Sequence, residues 1–212
     1  ILPEERWMAE GIEMADSIVF NPHKWLLTNF DCSAHYVKQP ELLIRTLSIL
    51  PEYLKSREQD QVIDYRDWSV PLGRRFRALK LWFVIRSYGV KGLQKIIRNH
   101  IKLAEYAATW IDEDPEFELV SPRSLSLLNF RFRPKNITKS ADIDLLNEDL
   151  LNRLNDSGRV YFTQNRVRGK FTIRWSIGQT NTQLKHVENA WSLIKRISSN
   201  LNQIDSARIN SD

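Results

Sequence analysis

The sequence predicts an α/β fold, and three features carry that prediction. A short apolar run at residues 17–20 stops at Pro22, two long helical patterns fill residues 74–112, and from Pro115 onward the texture changes to short alternating apolar segments separated by turns. This last region reads as a small α+β layer, an antiparallel sheet with helices on one side, and a domain boundary is placed at about residue 115.

In chain order, residues 4–15 spread Trp7, Met8 and Ile12 with helical spacing, but Gly11 weakens the pattern, so a short helix or an ordered loop is expected. Ser17, Ile18, Val19 and Phe20 read as a short buried strand. Pro22 cannot continue a ladder of hydrogen bonds and pushes Asn21 toward extended backbone, so the strand turns at Asn21-Pro22-His23-Lys24. Residues 32–37, following the turn residue Asp31, supply a second strand of the same sheet. Pro40 suits a first helical turn, and Leu42, Leu43 and Leu47 mark a helix ending near Ser48. From 49 to 71 the pattern dissolves into a long polar loop holding Pro51, Tyr53, Tyr65 and Trp68. Residues 74–88 form a helix with Phe76, Leu79, Trp82, Phe83 and Ile85 buried on one broad side, stopped at Gly89. Residues 90–112 form a longer one whose apolar set, from Leu93 to Ala108, serves packing. His100 on it reads as an ordinary surface or capping side chain.

Beyond Pro115, residues 117–120 and 127–132 read as strands, the second with the alternation of a half-exposed sheet. A helix over 140–155 opens at Ser140 and closes before Gly158. Residues 160–162 and 171–177 make two more strands joined through 165–169. A last helix over 183–197 carries Val187, Ala190, Trp191 and Ile194 on one face, so the small domain covers 115–198. The polar residues 199–212 are expected to fray.

Composition bounds the function. With 212 residues, 42% of them hydrophobic and 10% aromatic, the chain can pack a sizeable core. It contains no run of about 18 apolar residues that could span a membrane and no basic start with an apolar core like a signal peptide. The lone Cys32 cannot form an internal disulfide, which fits a reducing, cytoplasmic setting; as a side chain it reads as a small buried residue. The net charge of +5, from 31 basic and 26 acidic residues, is scattered along helices, so neither a nucleic-acid nor a membrane partner is expected. Zinc-type His/Cys spacing, a Gly-rich phosphate loop and a Ser/His/Asp signature are all lacking.

The residues with chemistry to offer are on the turn after the first strand. Lys24 is flanked by Phe20, Trp25, Leu26 and Leu27, and partial desolvation there would lower its pKa and favour a neutral, nucleophilic amine suited to Schiff-base chemistry. On composition alone the commoner reading is a surface lysine whose stem crosses apolar neighbours. The stretch Asn21-Pro22-His23-Lys24-Trp25-Leu26-Leu27-Thr28-Asn29-Phe30-Asp31-Cys32-Ser33 closely resembles the pyridoxal-phosphate lysine segment of the group II amino-acid decarboxylases, in their aromatic-L-amino-acid branch. Pro51-Glu52-Tyr53-Leu54-Lys55, Asp64-Tyr65-Arg66-Asp67-Trp68, the segment from Pro71-Leu72-Gly73-Arg74-Arg75-Phe76 to Trp82, and Arg86-Ser87-Tyr88-Gly89 resemble that family in the same order.

The resemblance implies that residues 1–114 are the C-terminal part of a fold-type I large domain binding pyridoxal 5'-phosphate, followed by the small α+β domain. It implies that Lys24 holds the cofactor, with Asn21 and His23 near its phosphate; taken alone, His23 reads as a packed turn histidine. Phe30 and Trp25 surround the site, Phe30 on the substrate side. Tyr53 is implied to be a catalytic acid on a mobile loop (49–71) that acts at the neighbouring subunit's site, where polar composition alone reads as a solvated loop. Gly73 stands where relatives acting on histidine tend to carry serine, which implies room for a larger ring; locally it is equally a residue at the start of a helix. The implied activity is decarboxylation of an aromatic L-amino acid to its arylalkylamine by a homodimer. Aldehyde-forming relatives have phenylalanine in place of Tyr53. Ile1 is not an initiator methionine and stands twenty-three residues before Lys24, so the chain is expected to be the C-terminal portion of a longer protein, completed by a missing upstream part of the large domain. Two other readings stay open: another or aldehyde-forming decarboxylase of this family, and a noncatalytic partner module.

Overall fold

The computed structural model describes the backbone of residues 1–49 and 62–209 and the side chains as far as Leu201. The chain divides into two compact units, Ile1–Gln94 and Lys95–Asp212.

In the first unit, Pro3–Ala9 and Ile12–Met14 are 3-10 turns separated by Gly11, whose φ of 81° is the reason no continuous helix forms. β1 (Ser17–Phe20) and β2 (Ala34–Val37) pair antiparallel, with Ser17 opposite Val37 and Phe20 opposite Ala34. The Phe20 and Tyr36 rings stack across the pair at 6.0 Å between centroids. The expected burial of this strand is corrected: Val19 is 60% exposed and Phe20 is exposed too, because the two strands form a sheet of their own with no third strand among the described residues. α1 (Pro40–Leu47) starts on Pro40 and ends where the Ser48 amide donates to the Ile44 carbonyl at 2.8 Å. It packs beside the Tyr65–Trp68 turn, and Ser48 Oγ donates to Asp67 Oδ1 at 3.1 Å. Residues 50–61, and Tyr53 with them, lie outside the described residues.

α2 (Arg77–Glu113) begins three residues after the expected start at Arg74 and is interrupted at Gly89. With φ 64° and ψ 168°, Gly89 occupies a region of backbone space open essentially to glycine alone, so the predicted stop is real. The predicted burial before it is not: Phe76, Leu79, Trp82, Phe83 and Ile85 are all exposed, Phe76 at 76%. An apolar stripe records a face that favours cover, not which residues supply it.

The second unit is built on a four-stranded antiparallel sheet in the order β3-β4-β6-β5, from β3 (Phe117–Leu119), β4 (Leu127–Phe132), β5 (Thr163–Val167) and β6 (Lys170–Ser176). On β4 the alternate residues Leu128, Phe130 and Phe132 are fully buried. α3 (Ser140–Asp156) adds Ile143, Leu146, Leu150, Leu151 and Leu154 at helical spacing, and α4 (Leu184–Ile209) adds Val187, Ala190, Leu193 and Ile194. Leu103, Ala104, Ala107 and Ile111 of α2 belong to the same core, so the division by packing falls before residue 95, earlier than the change of texture at Pro115. Phe117 anchors the aromatic part, 5.1 Å from Phe132 and 4.9 Å from Trp191 between centroids.

Four expectations change here. β5 runs over Thr163–Val167 rather than 160–162, and meets β6 through a two-residue turn, Arg168 and Gly169, with φ of 51° and 82°, the pattern of a type I′ hairpin. Arg131, on the face of β4 expected to be half-exposed, is 2% exposed, held by Glu118 at 3.3 Å and Asp144 at 3.4 Å. His100 is buried rather than at the surface, and its Nε2 donates to the Gln179 carbonyl at 3.0 Å. The backbone of residues 199–209, read as a fraying tail, is helical and continues α4.

Candidate functional site

The site grows out of the end of β1. Pro22 stops the strand, and the Lys24 amide donates to the Asn21 carbonyl at 2.9 Å, closing a tight turn over Asn21-Pro22-His23-Lys24. Two further bonds continue it, Leu27 N–H to the Lys24 carbonyl at 3.3 Å and Thr28 N–H to the Pro22 carbonyl at 3.1 Å. Leu27 has φ 58°, left-handed backbone that a branched side chain rarely adopts, immediately beside the lysine turn. Pro22 and Thr28 are buried beneath the turn while Lys24 is exposed. The expected desolvation of Lys24 is thereby corrected. Its apolar neighbours Trp25, Leu26 and Leu27 are only half-buried and do not enclose the amine.

His23 is fixed by the backbone of Cys32. Its own amide donates to the Cys32 carbonyl at 3.2 Å, and ring Nδ1 is 2.7 Å from that carbonyl and 3.0 Å from the Cys32 amide. One ring proton cannot serve both contacts, yet in either tautomer Nδ1 is turned to Cys32 and Nε2 is the nitrogen left to meet a ligand. Accepting the Cys32 amide proton leaves Nε2–H as a donor, the tautomer suited to an anion. Phe30, 84% exposed, meets the His23 ring edge-on at 5.0 Å. Cys32 is buried as expected, with Sγ 3.8 Å from the Arg77 carbonyl.

Asp31 is the residue that sequence reasoning passed over as a turn former. Its Oδ1 accepts from Arg75 Nη2 at 2.6 Å, its Oδ2 from Arg77 Nε at 3.0 Å, and Lys80 Nζ stands 3.9 Å away. Burial pushes its carboxyl pKa up, but its own backbone amide, the Arg77 hydrogen bond and the charges of Arg75 and Arg77 outweigh that, and the net direction is down. The only sign available in the sequence was one acidic residue seven positions after Lys24 and the basic residues Arg74, Arg75, Arg77 and Lys80 forty-odd positions later.

The structure therefore brings Asn21, His23 and Lys24 onto one turn, with the Phe30 ring against His23. Gly73 lies apart in sequence, two residues before Arg75, with open space where a Cβ would project. Tyr53 lies outside the described residues. The donor set fits pyridoxal phosphate: a solvent-accessible primary amine for its aldehyde, and the Asn21 amide with the His23 Nε2 for phosphate oxygens. Thr28 Oγ1, buried without a hydrogen-bond partner among the described residues, adds a polar atom under the same turn. Among the described residues no cluster of His, Cys, Asp and Glu could hold a metal ion.

Residues 1–133 match the pyridoxal-dependent decarboxylase conserved domain. Over 197 residues, 92% of the chain, 46% are identical to tryptophan decarboxylase TDC1 of Camptotheca acuminata, of which they cover 39%. An aromatic-L-amino-acid decarboxylase of Cavia porcellus is 43% identical over 98% of the chain and 42% of its own length. The crystal structure of Oryza sativa TDC with PLP and tryptamine superposes with a TM-score of 0.88 at 39% identity, covering 94% of this chain and 42% of that one. The chain thus spans about two fifths of the length of these relatives.

Proposed function

Starting from a chain that belongs to the pyridoxal-dependent decarboxylase family, we propose that it forms the cofactor-lysine part of an enzyme that converts an aromatic L-amino acid to its arylalkylamine and carbon dioxide. The observation that carries this reading is the turn at the end of β1, which presents the Lys24 amine outward beside a histidine whose Nδ1 is occupied by backbone. Pyridoxal phosphate, when bound, supplies an electron sink for breaking the bond to the carboxylate.

The chain's own residues do the rest. Lys24 holds the cofactor through its aldehyde, and Asn21 and His23 Nε2 hydrogen-bond its phosphate. Phe30 and the space at Gly73 accommodate the aromatic ring of the substrate. Tyr53 delivers a proton to the former α-carbon after carbon dioxide departs. In this reading residues 1–114 are the C-terminal part of a fold-type I large domain whose upstream part completes the site, and residues 115–198 are a small C-terminal α+β domain. The assembly is a cytoplasmic homodimer. The exposed apolar face of Phe76, Trp82 and Phe83 supports an arrangement in which other polypeptide covers this helix.

A panel of tyrosine, tryptophan, phenylalanine and their hydroxylated forms, assayed in the full-length protein for amine and for hydrogen peroxide, tests the reading. Amine without peroxide from at least one aromatic substrate is expected. Peroxide and aldehyde as the main products would replace it with the aldehyde-forming alternative, and no turnover of any substrate by cofactor-loaded protein would favour the noncatalytic one.

A further inference from the structure

We propose that Asp31 is a positioning residue that fixes the Lys24–His23 turn to the start of α2, and with it to the Gly73 segment; the inference rests on the functional reading of that turn. Asp31 bridges two guanidinium groups, Arg75 at 2.6 Å and Arg77 at 3.0 Å, so its carboxylate is held from two sides rather than by one flexible partner. Lys80 at 3.9 Å adds a third positive charge to the same carboxylate. The next residue, Cys32, lies with Sγ 3.8 Å from the Arg77 carbonyl and holds His23 through both its amide and its carbonyl. Lys24 is the residue after His23, in a turn closed by the Lys24-to-Asn21 hydrogen bond.

The path from α2 to the lysine therefore runs through Asp31 and Cys32 to His23, with side-chain or backbone hydrogen bonds at each joint. Arg75 is two residues beyond Gly73. Residues assigned to the cofactor and the residue assigned to substrate size thus share one clamp. Neither arginine is needed for a local turn or cap, since α2 begins at Arg77 and the turn residues bond among themselves. What the two guanidinium groups add is register between the two segments.

The test uses the full-length protein as wild type, Asp31→Asn, Asp31→Glu and Arg75→Gln. Three quantities are read: the Kd for pyridoxal phosphate on the apoprotein, the circular dichroism of the bound cofactor at its visible absorption band, and the melting temperature of the apoprotein. Two partly exposed charge pairs predict that Asp31→Asn raises Kd by roughly three- to tenfold and weakens the cofactor dichroism, while the apoprotein melts as the wild type does. Arg75→Gln gives a smaller change in the same direction, and Asp31→Glu restores most of the dichroism. Wild-type Kd and dichroism in both Asp31→Asn and Arg75→Gln would overturn the clamp, and so would a loss that tracks a lowered melting temperature, which marks a merely structural residue. If Asp31→Asn does not fold, Arg75→Gln decides by the same criteria. Failure of the wild type to bind the cofactor at Lys24 would instead overturn the functional reading beneath it.

Discussion

Replacing Asn147 with leucine tests how the second unit holds its sheet. Asn147 lies in α3, fully buried, and its side chain treats one residue of β4 as a strand would. Its Oδ1 accepts from the Phe132 amide at 2.7 Å, and its Nδ2 donates to the Phe132 carbonyl at 2.7 Å and to the Ile143 carbonyl at 2.8 Å. Leucine keeps the branched shape but is larger, so no cavity forms and any overpacking adds to the loss. The loss is two buried backbone groups of Phe132 left without this partner, at about 1–3 kcal/mol each. The Ile143 carbonyl keeps its place in the helix and adds little. The sum is about 2–6 kcal/mol, a large share of the roughly 5–15 kcal/mol that holds a typical domain. Urea unfolding should show that loss, and hydrogen exchange should show the Phe132 amide losing protection beyond its neighbours Leu128 and Phe130. A change under about 1 kcal/mol, with Phe132 still protected, would refute the reasoning and mean that water or a shifted strand satisfies those groups.

Two further outcomes follow from single residues. Burial pushes the His100 pKa down, against the opposing hydrogen bond to Gln179; its contribution to stability is therefore full above the unfolded value of about 6.5 and is lost as pH falls through the lowered folded value. Urea titrations between pH 7.5 and 5 should show a decline that His100→Asn flattens, and equal slopes in both proteins would contradict the burial argument. Tyr53→Phe keeps the ring and removes the acid, so amine release should fall by at least about 100-fold with cofactor loading unchanged. In its place the amino acid, O2 and water should give aldehyde, carbon dioxide, ammonia and hydrogen peroxide in equal amounts. Amine at the parent rate with no aldehyde would remove Tyr53 as the proton donor.

Much of the fold was legible because local rules decided it. Pro22 ends β1, Pro40 starts α1 and Gly89 interrupts α2, each at a position where local backbone preference and the fold agree. The sequence reading went astray where a residue's surroundings decided the matter. Phe76 and Trp82 look the same in sequence whether their own unit covers them or not, so their exposure could not be read from periodicity. The polar string Thr163-Gln164-Asn165-Arg166-Val167 lacks an apolar alternation, and it pairs because Arg168 and Gly169 turn it back onto β6. His100, Arg131 and Asn147 are buried polar residues, and only partners far off in sequence explain them: Gln179 for His100, Glu118 and Asp144 for Arg131, and Phe132 for Asn147. The site divides in the same way. The turn that carries Lys24 was visible in five consecutive residues, whereas Asp31 gains its meaning from arginines more than forty positions away.

The most direct measurement of the central claim is borohydride reduction of the cofactor-loaded full-length protein followed by peptide mapping. The account predicts a single pyridoxyl label, on Lys24, in the peptide that also contains Asn21 and His23. A label on any other lysine, or no stable label at all, would contradict it.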